Sequence, residues 1–308
     1  MKVSRSTRWN AYRHEEGESL VDQILELGFN SVELGYDLRQ SLVPGVKDRL
    51  ASGEITCSSV HNYCPVPVGA LQGHPELFSL SSPDDRERES AIRHTSRTIE
   101  FAAEVGAQAV VSHVGNVRTR RRTRKLIALS EDGKQHSAKY EKLKTKLLLE
   151  RSKKVPPYLD RLRLSLEELL PVLEKAGVPL GIENLPSWEA IPTESELEML
   201  LTEFNSPWIR YWHDMGHGQV RHNLGLISHL RWADKLAPFL VGMHLHDVKP
   251  PAGDHIMPPH GNIPFSDFRN AANHAKVWVL EPCPGTPAEY VLKGREHLQA
   301  AWSDACES

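Results

Sequence analysis

The sequence has no apolar run approaching the roughly 20 residues that a helix needs to cross a bilayer. Its first ten residues carry Arg5 and Arg8 but no apolar segment of the kind a secretion signal requires. No membrane association is expected from this, and the expected location is cytoplasmic. Charge of one sign is also lacking, since 37 Lys and Arg stand against 40 Asp and Glu, for a formal charge of −3. No global attraction to nucleic acid is therefore built in, and any polyanion-binding surface must be local. Cysteine is scarce. Cys57, Cys64, Cys283 and Cys306 share no CxxC spacing, which argues against a disulfide framework and for reduced structural thiols. A metal-side or redox role is the lesser reading for Cys64 and Cys283, which lie beside candidate site residues. No Pro/Gly/Ser-rich linker divides the 308 residues, so a single domain over 1–308 is expected.

What is present is a rhythm. Eight strand-like runs follow one another: Met1–Ser4, Ser31–Tyr36, Ile55–Asn62, Ala109–His113, Pro179–Glu183, Ile209–Asp214, Leu240–His244 and Val277–Glu281. Most are short, continuous and rich in Val, Ile or Leu, as strands buried on both faces are. Between them lie segments with helical spacing, including the stripe Leu159, Leu162, Leu166, Leu169, Leu173 and a second stripe at Leu20, Ile24 and Leu27. Pro192-Thr193-Glu194-Ser195-Glu196 opens a further helix with acids in its first turn, and Gly177 closes the helix before the fifth strand. Eight β-then-α alternations predict a (β/α)8 TIM barrel, an α/β fold, with a doubly wound open sheet as the competing arrangement.

One segment breaks the rhythm. Between His113 and Pro179 lies a basic insertion, 118–156, in which Arg118–Lys154 contains 14 Lys or Arg and 4 Asp or Glu. Because it leaves the C-terminal end of a strand, it should stand on the active-site rim as a lid or wall. It reads either as a solvated helical hairpin or as a cationic surface for a phosphate, a carboxylate or a nucleic-acid backbone. A dimer arm is a further reading, so a homo-oligomer is possible.

The chemistry is concentrated at strand ends. Glu183, Asp214, His244 and Glu281 each close an apolar run, 31, 30 and 37 positions apart (183 to 214 to 244 to 281). Each interval is about one βα unit, so successive parallel strands deliver three carboxylates and an imidazole to one rim. That set reads as a divalent-metal site. His61 and His113 end the third and fourth runs and point at the same rim. His217 follows Asp214 by one turn. Lys249, Asp254, His255 and His260 lie in a loop after the seventh run that Pro250, Pro251, Gly253, Pro258, Pro259 and Gly261 keep from being helical.

The chain resembles the xylose-isomerase-like TIM-barrel superfamily, which contains sugar isomerases and epimerases, inosose dehydratases and the AP-endonuclease family of zinc nucleases. The resemblance rests on Ser31-Val32-Glu33-Leu34, Val60-His61, Ser112-His113-Val114-Gly115, Ile182-Glu183-Asn184, Asp214-Met215-Gly216-His217, His244-Leu245-His246-Asp247-Val248-Lys249, Asp254-His255 and Leu280-Glu281-Pro282. It implies that Glu183, Asp214, His244 and Glu281 are the metal ligands. His244 rather than His246 fits, because the superfamily ligand is followed three positions later by Asp, here Asp247. His246 then faces the other way along the strand or supports a ligand. Mn²⁺ is the expected ion, with Zn²⁺, Co²⁺ or Mg²⁺ as alternatives that the ligand types equally suit.

Such a site suits proton transfer next to a carbonyl through a metal-stabilised enediolate. The resemblance implies that Glu183 and Glu281 are the catalytic acid and base of a sugar or sugar phosphate isomerase or epimerase. His61, His113, His217, Lys249 and His255 are then expected to bind substrate. Three alternatives stand beside it: a metal-dependent lyase or dehydratase of a keto sugar or inosose, an AP-endonuclease-like zinc phosphodiesterase, and a barrel that binds metal or sugar without turnover. The nuclease branch adds zinc ligands at His61, His113, His217 and a loop histidine. Its loop pattern, however, is Asp, one residue, then His, whereas Asp254 and His255 are adjacent. Nucleic acid is therefore not the expected partner.

Overall fold

Strands β1 (Val3–Ser6), β2 (Ser31–Leu34), β3 (Thr56–His61), β4 (Val110–Ser112), β5 (Leu180–Glu183), β6 (Ile209–Asp214) and β7 (Leu240–Leu245) are followed by a two-stranded ribbon, β8 (Asp247–Lys249) with β9 (Gly253–Ile256), and by β10 (Val277–Leu280). These assignments come from a computed structural model that describes residues 2–303. Eight of the strands close a barrel in the order β1-β10-β7-β6-β5-β4-β3-β2, and each pairing within it is parallel. The expected (β/α)8 architecture forms, and the open doubly wound sheet does not.

The two-residue period of a strand decides what faces the lumen. It places Gly181 with Glu183, Trp212 with Asp214, Gly242 with His244, and Val279 with Glu281. Trp212 packs there with Ala109, Val111, Val277 and Val279. Gly242 makes room for it, because a Cβ at that position would lie 2.2 Å from the indole. The indole in turn meets the His244 ring edge-on, with centroids 5.0 Å apart. An apolar plug thus fills the lumen next to the ligand-type side chains and keeps water from reaching them along the barrel axis. The alternate positions Ile182, Met243 and Leu280 join the core shared with the helices.

The helical expectations hold in detail. Pro156–Ala176 buries Leu159, Leu162, Leu166, Leu169 and Leu173 and ends at Gly177 with φ 66°, a left-handed cap that glycine adopts without strain. Thr193 and Glu196 form a reciprocal capping box at the start of Glu194–Phe204. Several strands are one or two residues shorter than expected, the second being Ser31–Leu34, and three further readings shift. The first strand is Val3–Ser6 rather than Met1–Ser4, because Arg5 is accommodated in it by stacking over Trp9, 4.3 Å from the ring centroid; Met1 lies outside the described residues. The helix Gly17–Glu26 stops one residue short of Leu27. The loop after β7 folds into the β8–β9 ribbon, with Asp247 opposite Ile256 and Lys249 opposite Gly253. Cys57, Cys64 and Cys283 are unpaired; Cys306 lies outside the described residues.

The basic insertion forms two helices, Arg122–Glu131 and Ala138–Lys154, attached to the loops after β5 and β6. It is more than a solvated hairpin. Leu126, Leu129, Tyr140 and Leu147 are buried, and the Tyr140 hydroxyl donates to the Leu224 carbonyl at 2.9 Å. The buried Glu189 carboxylate accepts the N–H groups of Arg122 and Thr123 at 2.6 and 3.1 Å, capping the first helix. Part of the cationic run is also consumed internally: Arg122 pairs with Glu150, and Arg151 pairs with Glu196.

Candidate metal centre

The four expected ligands come from four neighbouring strands of the barrel, β5, β6, β7 and β10. His244 Nδ1 lies 3.4 Å from Glu183 Oε1, 3.7 Å from Asp214 Oδ2 and 3.4 Å from Glu281 Oε2. Glu183, Asp214 and His244 place ligand atoms close enough to share one ion, as do Glu33, His244 and Glu281. All of these side chains are buried.

The second nitrogen of each imidazole shows how the rings are aimed. His244 Nε2 lies 3.1 Å from Glu33 Oε2, which leaves Nδ1 facing the other three carboxylates. His61 Nδ1 lies 3.1 Å from the Asn62 carbonyl, His217 Nδ1 2.9 Å from the Asn184 carbonyl, and His255 Nδ1 3.0 Å from the Glu281 carbonyl. Holding one ring nitrogen on a fixed oxygen is how proteins present the other nitrogen to a metal. Asn184 also fixes the backbone of Asp214, accepting its N–H at 2.8 Å and donating to its carbonyl at 2.9 Å. Asp214 Oδ1 accepts the His217 N–H at 2.6 Å as the cap of the helix Met215–Asn223.

A second ligand group adjoins the first. His61 Nε2 and His113 Nε2 stand 3.3 and 3.2 Å from Glu183 Oε2. That oxygen is buried yet makes no hydrogen bond. A carboxylate oxygen and two imidazole nitrogens converge here at ion-pair distance, close enough together to hold one ion, and the donor set fits a divalent cation.

His217, His246 and His255 also lie within reach of one ion, but His246 is committed elsewhere. Its Nδ1 accepts the His255 N–H at 2.8 Å, so its other nitrogen carries the proton and donates to Asp214 Oδ2 at 3.0 Å. His246 therefore turns toward the site and holds Asp214, and does not face the opposite way. Two residues after His244, it lies on the same side of the chain by the two-residue period of a strand. Gly216 permits the approach, since a Cβ there would lie 1.9 Å from the imidazole.

Of the residues expected to bind substrate, His61, His113, His217 and His255 are thus drawn in around the carboxylates. Lys249 is exposed on β8 and belongs to none of the ligand groups. Two members of the site had been given no role from sequence. Arg8 donates to Glu281 Oε1 at 2.8 Å and stacks over Tyr36, 4.8 Å from the ring centroid. Glu33 stands against His244 Nε2; in the sequence it entered only within the motif Ser31-Val32-Glu33-Leu34, as an acid inside an apolar run.

The electrostatics are those of a site short of positive charge. Burial alone would push the Glu183, Asp214 and Glu281 carboxyls up, but the facing imidazoles, and Arg8 for Glu281, hold all three well below the carboxylate range. Burial disfavours the His244 imidazolium, yet Glu281, Glu33 and Glu183 raise its pKa well above the ordinary value. For His217 the same contest, with Asp214 and Glu183 as partners, leaves the pKa at about 9. Both rings are thereby held toward their protonated forms. Loading Mn²⁺ at pH 7 is expected to release about one to two protons per ion, read by titration calorimetry in buffers of different ionisation enthalpy. Affinity should rise with pH until His217 titrates near 9. Binding with no proton release would contradict this electrostatic picture.

Residues 21–301 match a family model described as xylose isomerase-like TIM barrel. A D-tagatose 3-epimerase-like protein superposes with a TM-score of 0.72 at 18% identity, over 100% of this chain and 99% of that one. A 3-keto-D-glucoside 4-epimerase from E. coli gives 0.68 at 14% identity, over 97% and 99%. An IolI protein with a bound zinc atom gives 0.64 at 15% identity, over 100% of both chains. An uncharacterised protein of Methanocaldococcus jannaschii is 24% identical over 247 residues, 80% of this chain and 78% of its own length.

Proposed function

The chain belongs to the xylose isomerase-like TIM-barrel family, and from that premise we propose that it is a divalent-metal-dependent sugar isomerase or epimerase. Glu183, Asp214, His244 and Glu281 hold the ion. Bound there, a divalent cation polarises a carbonyl and stabilises the negative charge that develops when the adjacent carbon loses its proton.

The observation that carries this reading is the division of labour within Glu183. Oε1 lies 3.4 Å from His244 Nδ1, whereas Oε2 faces the His61 and His113 rings at 3.3 and 3.2 Å and is the oxygen left to take a proton from carbon. Glu281 comes from the far side of the four-strand arc, which suits it to return the proton. Its Oε1 is held by Arg8, leaving Oε2 for the ion and the proton. The residues beside His113 and His217 that wall the mouth, including Tyr36, His74 and Pro186, enclose about 250 Å³, room for one monosaccharide.

Mn²⁺-loaded protein incubated in D₂O with a panel of ketoses, inososes and their phosphates is expected to incorporate deuterium at the carbon next to the carbonyl. Loss of water from the product would identify a lyase. No incorporation with any member would overturn the proposal.

A second reading rests on the same oxygen. If an ion sits between Glu183 Oε2, His61 and His113, Glu183 bridges two metals, and the site suits activation of water for phosphoester hydrolysis. Metal analysis separates the two: one ion per chain leaves Oε2 free as the base, and two or three make it a ligand.

A further inference from the structure

The insertion encloses a cavity of about 550 Å³ beside the metal centre, between the start of the helix Arg122–Glu131 and the loop after β5. Glu76, Pro186 and Ser187 line both this cavity and the mouth next to His113 and His217, so the two spaces adjoin. The cavity is sided. Its barrel side carries Glu76 and Asp254, and its insertion side carries Arg121 and Arg124.

The arginines of the run differ in what they already hold. Arg118 pairs with Glu87, and Arg122 is buried against Glu150. Arg120 lies in a neighbouring depression with Lys146 and Lys154 and does not line the cavity. Arg121 and Arg124 are exposed toward the cavity and make no ion pair or side-chain hydrogen bond among the described residues. The backbone that presents them is fixed, because Glu189 caps their helix from the barrel side. The third cavity carboxylate is thereby spent on that cap and offers Arg121 and Arg124 no partner.

We propose that this cavity is a substrate subsite for an anionic tail: a sugar whose carbonyl end reaches the metal centre extends a phosphate or carboxylate to Arg121 and Arg124. The inference builds on the sugar chemistry proposed above and narrows its substrate class to acidic sugars. Guanidinium groups suit either anion, because their paired N–H groups match two oxygens of a phosphate or a carboxylate.

The test is binding, measured by calorimetry on Mn²⁺-loaded protein without turnover, using D-fructose, D-fructose 6-phosphate, 2-keto-D-gluconate and a ten-nucleotide single-stranded DNA. At least one of the two acidic sugars is expected to bind at least about tenfold more tightly than D-fructose, and which one does identifies the anion. The R121Q/R124Q double variant should bring that preference to within about twofold, while R120Q, on the other depression, should keep it. Both substituted arginines are exposed, and unchanged thermal melting would establish that the fold is intact. Equal affinity for charged and uncharged sugars in the wild type, or a preference that survives the double substitution, would overturn the subsite. DNA binding tighter than either sugar acid would overturn it in favour of a polynucleotide surface. Deuterium exchange that fails with every ketose while the acidic sugar still binds through Arg121 and Arg124 would remove the proposed reaction and leave the anion site standing.

Discussion

Replacing Glu183 with Gln is expected to lower turnover by about 10²–10⁴-fold, the range seen when a general base is lost. The substitution keeps the side chain's volume and removes the one carboxylate that faces both ligand groups, His244 and Asp214 on one side and His61 and His113 on the other. Bound metal per chain should fall as well, since an amide oxygen is a poorer ligand than a carboxylate. Circular dichroism should be unchanged, because Glu183 ends β5 and its backbone pairing with β6 is independent of the side chain. Wild-type turnover together with full metal content in the variant would remove Glu183 from both roles.

The largest effect on stability is expected at Asp247. Its Oδ1 accepts the N–H groups of Val248 at 2.8 Å and Ile263 at 3.1 Å, and its Oδ2 accepts that of Gly261 at 2.7 Å. One buried carboxylate thereby ties both ends of the loop that carries His255. Asp247→Ala strands three backbone donors at about 1–3 kcal/mol each, so a loss of at least about 3 kcal/mol is expected in chemical denaturation. Asp247→Asn keeps an acceptor oxygen and should recover part of it. Since His255 meets the Glu281 carbonyl and the backbone N–H of His255 meets His246, metal affinity should fall together with stability. A variant as stable as the wild type would show that the loop is held by other means.

The barrel was legible in the sequence because its signal is repeated. Eight short apolar runs, a leucine stripe and a glycine stop each agree with the others, so an error in one leaves the whole intact. The quartet Glu183, Asp214, His244 and Glu281 was legible for a related reason: a polar ligand at the end of a buried strand contradicts its own surroundings. Arg8 carried no such contradiction. It follows β1 in a single turn of 3-10 helix, and only the closure of β1 against β10 brings it to Glu281. Of the two readings offered for His246, support of a ligand is the one that forms, as the two-residue period requires, since residues 244 and 246 share one side of the strand. The ribbon β8–β9 was hidden by its prolines and Gly253, which mark a turn without saying what it pairs. In the insertion, the charge count could not separate the arginines spent on Glu87, Glu150 and Glu196 from Arg121 and Arg124, because those partners lie far away in sequence.

Anomalous diffraction from crystals of Mn²⁺-loaded protein at the manganese edge tests the metal centre most directly. The expected result is a peak at the C-terminal mouth of the barrel, about 2.0–2.3 Å from oxygens of Glu183, Asp214 and Glu281 and from Nδ1 of His244. A fully loaded protein with no peak among those four side chains, or with its ion bound elsewhere, would contradict the assignment.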